Sequence, residues 1–147
     1  MNTADNRTIN LLNHVYKSTK IAADAINVLL SKTQSAEFKN VLKQQYNKYQ
    51  NIANAAANEL YGYRLLPPEN DFITKAGMWS AVSLATITNQ TSGHMAEILI
   101  NGSTLGIIEI TRLVNSNVNV SPSARNIAEQ LIETDRNNIN IMQNYLA

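Results

Sequence analysis

The apolar residues of the chain are spaced with the period of an α-helix over four long stretches. The stretches run from about Ile9 to Leu30, from Ser35 to Leu60, from Ser92 to Val114 and from Ser121 to Tyr145. In the second stretch, steps of four and three residues alternate almost without fault, which is typical of a seam packed on neighbouring helices. This seam consists of Phe38, Leu42, Gln45, Tyr49, Ile52, Ala56 and Leu60.

Signals for the starts and ends of helices agree with these stretches. Ser35 is expected to cap the second helix, with Glu37 in the first turn, where the helix dipole favours an acid. Ser121 is expected to cap the last helix, because Pro122 follows at the preferred first position. Gly62, followed by two prolines, is expected to end the second helix.

The segment between the second and third long helices predicts a shorter linker helix over about residues 70–90, with Asp71 as a candidate cap. No segment predicts a strand: residues 114–120 alternate, but asparagine and serine are poor strand residues. Four long helices and one short one predict an all-α fold. We expect a four-helix bundle with a short helical crossover between its second and third long helices, in one domain of residues 1–147.

The composition limits the classes of function. A length of 147 residues with 44% hydrophobic residues suits one domain with a real core. The net charge of +1 gives no general electrostatic reason to bind nucleic acid or an anionic membrane. The absence of cysteine excludes disulfides and thiolate metal sites. The amino terminus lacks the pattern of a signal peptide, and no window approaches the ~18 apolar residues of a membrane span, so we expect a cytoplasmic protein.

The order of the helices resembles the ferritin-like superfamily, and more closely a bacterial ferritin-like family of unknown function. The linker carries Ala76-Gly77-Met78-Trp79, and the helix after it has an internal glycine in Ile100-Asn101-Gly102. The resemblance covers nearly the whole chain, from about Ile9 to Tyr145. It implies a ferritin-like bundle, in which a diiron site would lie between the four helices.

The superfamily's diiron site gives a sharper test of this resemblance. Such a site takes one Glu from each of two helices and a Glu-x-x-His from each of the other two. The chain has two histidines, His14 and His94, and neither follows an acid by three residues. His94 and Glu97 stand in the reverse order. We therefore expect no metal site of the ferritin type and no cofactor.

Four polar residues on predicted helix faces form the candidate site. Gln45 and Tyr49 lie on the seam of the second helix, whereas Glu109 and Asp135 lie in line with apolar residues of the last two long helices. One interpretation is a polar pocket in the bundle interior. The other, which we favour, is that the seam residues bond to each other or to buried water, and that the two acids reach solvent at the edges of their stripes.

These observations favour a binding or structural role over a catalytic one, and we name no catalytic residue. Apolar residues beyond a single stripe suggest self-association, most simply as a homodimer. A protein partner or a small ligand is also expected, but the sequence does not identify it. Two alternatives stay open. One is a metal-carboxylate protein with unusual ligands, acting in oxidation or metal storage, and the other is a small-molecule carrier.

Overall fold

The computed structural model describes residues 2–69, 84 and 87–147. It contains four long helices: α1 (Thr3–Leu30), α2 (Ala36–Gly62), α3 (Ser92–Ser116) and α4 (Pro122–Gln143). None of these described residues forms a strand. The predicted linker helix of about residues 70–90, with Trp79, lies almost entirely outside the described residues.

Each helix begins at a side chain that accepts a backbone hydrogen bond. Ser35 Oγ accepts from the Phe38 amide at 3.1 Å, and Ser121 Oγ accepts from the Ala124 amide at 3.1 Å, so both predicted caps are confirmed. Asn2 caps α1 in the same way. α1 therefore begins six residues before the predicted Ile9, in a polar stretch that carries no apolar pattern.

The end of α2 differs from the sequence prediction in one detail. Gly62 is the last helical residue, but Arg64 adopts the left-handed backbone conformation, with φ of 61°. The amide of Leu65 donates to the carbonyl of Leu60, and the amide of Arg64 donates to the carbonyl of Tyr61. These two bonds form a Schellman motif, in which glycine usually occupies the position of Arg64.

Contacts between side chains define the direction of each helix. α2 and α4 are antiparallel, because Glu59 bonds to Ser123 near one end and Glu37 bonds to Tyr145 near the other. α1 and α3 are also antiparallel, since His14 contacts Glu109, whereas Ser18 Oγ, one turn later on α1, lies 3.6 Å from the Cβ position of Gly106, which precedes Glu109 on α3. Because α1–α2 and α3–α4 are packed hairpins, α2 and α3 run parallel.

The core fills the space between the four helices along their whole length. Fully buried apolar residues come from every helix and include Leu11, Ile26, Phe38, Leu60, Met95, Ile110, Leu131 and Met142. Among the described residues, no helix is long and apolar enough to cross a membrane.

The buried face of α3 departs from the predicted one in its second half. Leu105 and Ile108 belong to the apolar residues from which this helix was predicted, but they are 61% and 42% exposed. The buried positions are instead Ser103, Ile110 and Val114. This part of α3 has apolar residues on two faces, and a pattern of spacing alone does not distinguish which face meets the core.

Candidate functional site

A cluster of buried polar side chains lies in the bundle interior between α2 and α4. The Tyr49 hydroxyl donates to Oδ1 of Asp135 at 2.5 Å and accepts from Nδ2 of Asn138 at 3.0 Å. Ser103 Oγ on α3 lies 3.5 Å from the same hydroxyl. All four side chains are buried. We call these four residues, together with Gln45, the interior polar cluster.

The periods of the helices bring these residues together. Gln45 and Tyr49 are four residues apart, and Asp135 and Asn138 are three apart, so each pair shares one helix face. Both faces are otherwise apolar: Leu42 and Ile52 flank the α2 pair, and both are buried. The cluster is therefore a polar layer within an apolar seam.

Burial dominates the electrostatics of Asp135. Desolvation disfavours the carboxylate and raises its pKa to about 7, although the hydrogen bond from Tyr49 partly opposes the shift. Burial also raises the pKa of Tyr49 well above its usual value, and the neighbouring Asp135 charge raises it further. Tyr49 is thus a hydrogen-bond donor at physiological pH, while Asp135 changes its charge near neutrality.

Gly106 of α3 allows the Asp135 carboxyl to fit against the helix backbone. A Cβ atom at position 106 would lie 2.7 Å from Oδ2 of Asp135 and 3.6 Å from Oγ of Ser18. The first distance is shorter than a non-bonded contact permits. The absent side chain of Gly106 therefore provides the space that Asp135 occupies.

Two buried polar atoms of the cluster have no hydrogen-bond partner among the described residues. They are Nε2 of Gln45, which is a donor, and Oδ1 of Asn138, which is an acceptor. Unpaired buried polar groups are rare in folded proteins because their desolvation is not compensated. The Tyr49 hydroxyl therefore has its hydrogen-bond partners, whereas the amide nitrogen of Gln45 does not.

Three of the four sequence-predicted site residues lie in this cluster. Tyr49 and Asp135 are in direct contact, and Gln45 is buried one helical turn from Tyr49. The interpretation that Asp135 reaches solvent at the edge of its stripe was wrong, since its side chain is only 3% exposed. Tyr49 is buried and hydrogen-bonded, as the seam interpretation expects, but its partners are Asp135 and Asn138 and not Gln45.

The structure excludes Glu109 from the interior cluster. Its side chain is 50% exposed, and Oε1 lies 2.9 Å from Nδ1 of His14 on α1. The favoured interpretation, in which Glu109 reaches solvent at the edge of its stripe, agrees with this position, whereas the interior pocket that would include Glu109 does not. Arg136, the residue after Asp135, contacts Glu133 at 3.8 Å on the exposed side of α4.

Sequence reasoning missed three residues of the site: Ser103, Gly106 and Asn138. Asn138 follows Asp135 by one turn, so its position on the same face was available as a signal. The spacing of Gly102 and Gly106 is compatible either with the close approach of another helix or with a weakened helix. The role of Gly106 depends on a carboxyl group from another helix, which spacing along the chain does not reveal.

The interior side chains that the structure describes do not fit a dimetal carboxylate centre. Over residues 2–69, 84 and 87–147, no three His, Asp, Glu or Cys residues come close enough together to hold a metal ion. Asp135 is the one carboxylate of the interior polar cluster, and its Oδ1 already accepts from Tyr49. Such a centre uses carboxylates and imidazoles from four helices, whereas the other polar groups of this cluster are amides and hydroxyls.

Two solved structures share this arrangement of helices, whereas no protein-family model and no curated protein matches the sequence. A DUF305 fragment from Deinococcus radiodurans aligns with a TM-score of 0.77 over 94% of this chain and 93% of its own, at 14% identity. A dodecameric thioferritin, the bacterioferritin-related protein from Bacteroides fragilis, aligns with a TM-score of 0.69 over 94% and 83%, also at 14% identity. Both are ferritin-like four-helix bundles. The chain has the ferritin-like fold. At this identity the likeness concerns the fold and not the chemistry of the interior.

Proposed function

We propose that this ferritin-like protein has no diiron site and acts as a binding or structural protein through self-association. The observation that carries the proposal is the bond between Tyr49 and Asp135 in the bundle interior. A diiron centre needs several carboxylates and imidazoles there, and the described interior supplies one carboxyl that is already bonded to a phenol. Without a set of metal ligands, the outer surface is the better candidate for function.

An exposed apolar pair on α3 supports self-association. Leu105 and Ile108 are three residues apart, so they lie side by side on the outer face of the helix. Burial of such side chains against another protein is favourable because it removes apolar surface from water. The similar thioferritin is a dodecamer, which supports contact between copies as a use of this fold. We propose a homodimer as the simplest assembly through this pair.

The cellular setting of the proposal rests on composition. The chain has no cysteine, which fits the reducing conditions of the cytosol. Both structural neighbours come from bacteria. We therefore propose a bacterial cytoplasmic protein.

Two measurements on the same preparation test this function. The first is elemental analysis of protein purified without chelator or metal-affinity tag, repeated after incubation with ferrous iron. Metal in near-stoichiometric amount would contradict the proposal and favour a metal-carboxylate protein with unusual ligands. The second is the molar mass in solution by light scattering, which should exceed that of the 16.3 kDa chain.

A pair of variants links the assembly to the proposed surface. Leu105→Ser combined with Ile108→Ser should lower the molar mass to that of the monomer while leaving the helical circular dichroism signal unchanged. Val118→Ser is the control, because Val118 is an apolar residue that is even more exposed than Leu105 and Ile108 but lies in the α3–α4 loop. A wild-type monomer at all concentrations, or equal effects of both changes, would contradict assembly through α3.

A further inference from the structure

The unpaired atoms of Gln45 and Asn138 lie at the same level of the bundle. α2 and α4 are antiparallel, and Tyr49 contacts both Asp135 and Asn138. Gln45 lies one turn before Tyr49 on α2, and Asn138 lies one turn after Asp135 on α4. The register of the two helices thus places the Gln45 and Asn138 side chains opposite each other, and both are buried.

A count of protons fixes the orientation of the Asn138 amide when Asp135 is ionised. The Tyr49 hydroxyl has one proton, which it donates to the Asp135 carboxylate at 2.5 Å. The Tyr49 oxygen can therefore only accept from Asn138, so Nδ2 faces Tyr49 and Oδ1 faces away. Rotating the amide by half a turn would place its oxygen against a hydroxyl with no proton left to donate.

By this register, Gln45 Nε2 and Asn138 Oδ1 are an unpaired donor and an unpaired acceptor at one level of the interior. Leaving both unpaired in the interior is unfavourable, because nothing compensates the loss of their hydrogen bonds to water. A water molecule can accept from one and donate to the other, and buried waters of this kind typically make 2–4 hydrogen bonds to protein. One turn further along the helices, Leu42 and Met142 are fully buried, so the next level is apolar and closed.

We propose that the bundle holds one buried water molecule between Gln45 Nε2 and Asn138 Oδ1. This site goes beyond the proposed self-association, since it lies in the interior and does not depend on the α3 surface. The water completes the interior polar cluster and links α2 to α4 at a second level, beside the Tyr49–Asp135 bond. Its chemistry is that of a single oxygen that accepts one hydrogen bond and donates another.

A crystal structure of the wild-type protein tests this site, provided that the crystals grow above about pH 7, where Asp135 is ionised, and that the resolution places ordered water. The expected result is an isolated oxygen within hydrogen-bond distance of both Gln45 Nε2 and Asn138 Oδ1. A direct bond between the two amides, with no density between them, would overturn the proposal. Density that continues beyond one atom would also overturn it, and would indicate a small hydroxyl-bearing ligand and a carrier function.

The Gln45→Met variant tests whether Gln45 holds the water. It keeps the length of the side chain and removes the donor, so the oxygen should be lost because one amide is too few partners. Gln44→Met is the control, since Gln44 is exposed one residue away and should leave the oxygen in place. An oxygen that persists in Gln45→Met would contradict the assigned role of Gln45. The wild-type structure alone decides the existence of the site if the variant does not crystallise.

Discussion

The phenolic oxygen of Tyr49 lies 2.5 Å from Oδ1 of Asp135, and this bond joins α2 to α4 in the interior of the bundle. The distance is in the range of a charge-assisted hydrogen bond between a hydroxyl and a carboxylate. Asn138 donates to the same phenol at 3.0 Å, so the hydroxyl of Tyr49 is the centre of the network. Removing that one oxygen leaves two buried groups without partners.

Tyr49→Phe should therefore lower the stability of the bundle markedly. The change strips Asp135 of its donor and the Asn138 amide of its acceptor, and we expect a loss of about 2–4 kcal/mol in the free energy of unfolding. Urea unfolding followed by circular dichroism measures this loss. Tyr61→Phe is the matched control, because Tyr61 is exposed near the end of α2. Equal stabilities of the two variants would show that the Tyr49 hydroxyl does not stabilise the fold.

The raised pKa of Asp135 predicts a dependence of stability on pH. In the unfolded chain the carboxyl has its ordinary pKa of about 3.9, whereas in the bundle burial raises the pKa to about 7. Between these values the folded state binds the proton more tightly, so the Asp135 contribution is fully present below about pH 4 and is lost as pH rises to about 7. The loss is at most about 4 kcal/mol.

Asp135→Asn should remove most of this pH dependence. Asparagine is neutral at every pH, and its amide oxygen can still accept from Tyr49. The free energy of unfolding of the variant should therefore vary less than that of the wild type between pH 4 and 7. Burial also raises the pKa of Asp24, which is only partly buried, so Asp24→Asn is the control and should have the smaller effect. Parallel pH profiles of wild type and Asp135→Asn would contradict the assignment.

The helices and part of the site could be predicted from the sequence because both depend on signals that are local in the chain. Helical periodicity and the caps at Ser35 and Ser121 are local signals, and so is the place of Tyr49 on an apolar seam. The burial of Asp135 depends on partners from α2 and α3 that are distant in sequence. A carboxyl in an apolar stripe is compatible with either a buried network or an exposed edge, and only the facing helices decide between them.

Glu109→Gln should have little effect on stability, in contrast to changes at Asp135. The Glu109 side chain is half exposed, and its contact with His14 is an ion pair only when the imidazole is protonated. Exposed pairs of this kind contribute about 0–1 kcal/mol, because water and salt screen the charges. Thermal melting at neutral pH measures the difference. A loss as large as that of Tyr49→Phe would indicate that Glu109 belongs to the interior network after all.

The left-handed conformation of Arg64 predicts a stabilising substitution. Side chains with a Cβ atom pay roughly 1–2 kcal/mol in this region, whereas glycine does not. Arg64→Gly should raise the free energy of unfolding by up to about 1 kcal/mol, since the greater freedom of glycine in the unfolded chain offsets part of the gain. Lys48→Gly in the middle of α2 is the contrast, and should destabilise the bundle. Destabilisation by Arg64→Gly would mean that the arginine side chain makes a contact worth more than the strain.

Gly106→Ala should destabilise the bundle although alanine is the better helix former. The new Cβ would lie 2.7 Å from Oδ2 of Asp135, and the carboxyl cannot move away without stretching its bond to Tyr49. We expect a loss of about 1–3 kcal/mol, as for other overpacked interiors. Gly62→Ala is the matched control, because no atom lies within 4 Å of a Cβ there, and it should be neutral or stabilising by up to about 1 kcal/mol.

A double-mutant cycle then shows whether Asp135 is the cause of that loss. In the background of Asp135→Ala, the carboxyl that meets the new methyl group is gone, so Gly106→Ala should cost little or should even stabilise α3. Urea unfolding of the four proteins gives the coupling free energy between the two positions. An unchanged cost of Gly106→Ala in that background would place the steric conflict elsewhere, for example at Ser18, whose Oγ lies 3.6 Å from the same Cβ position.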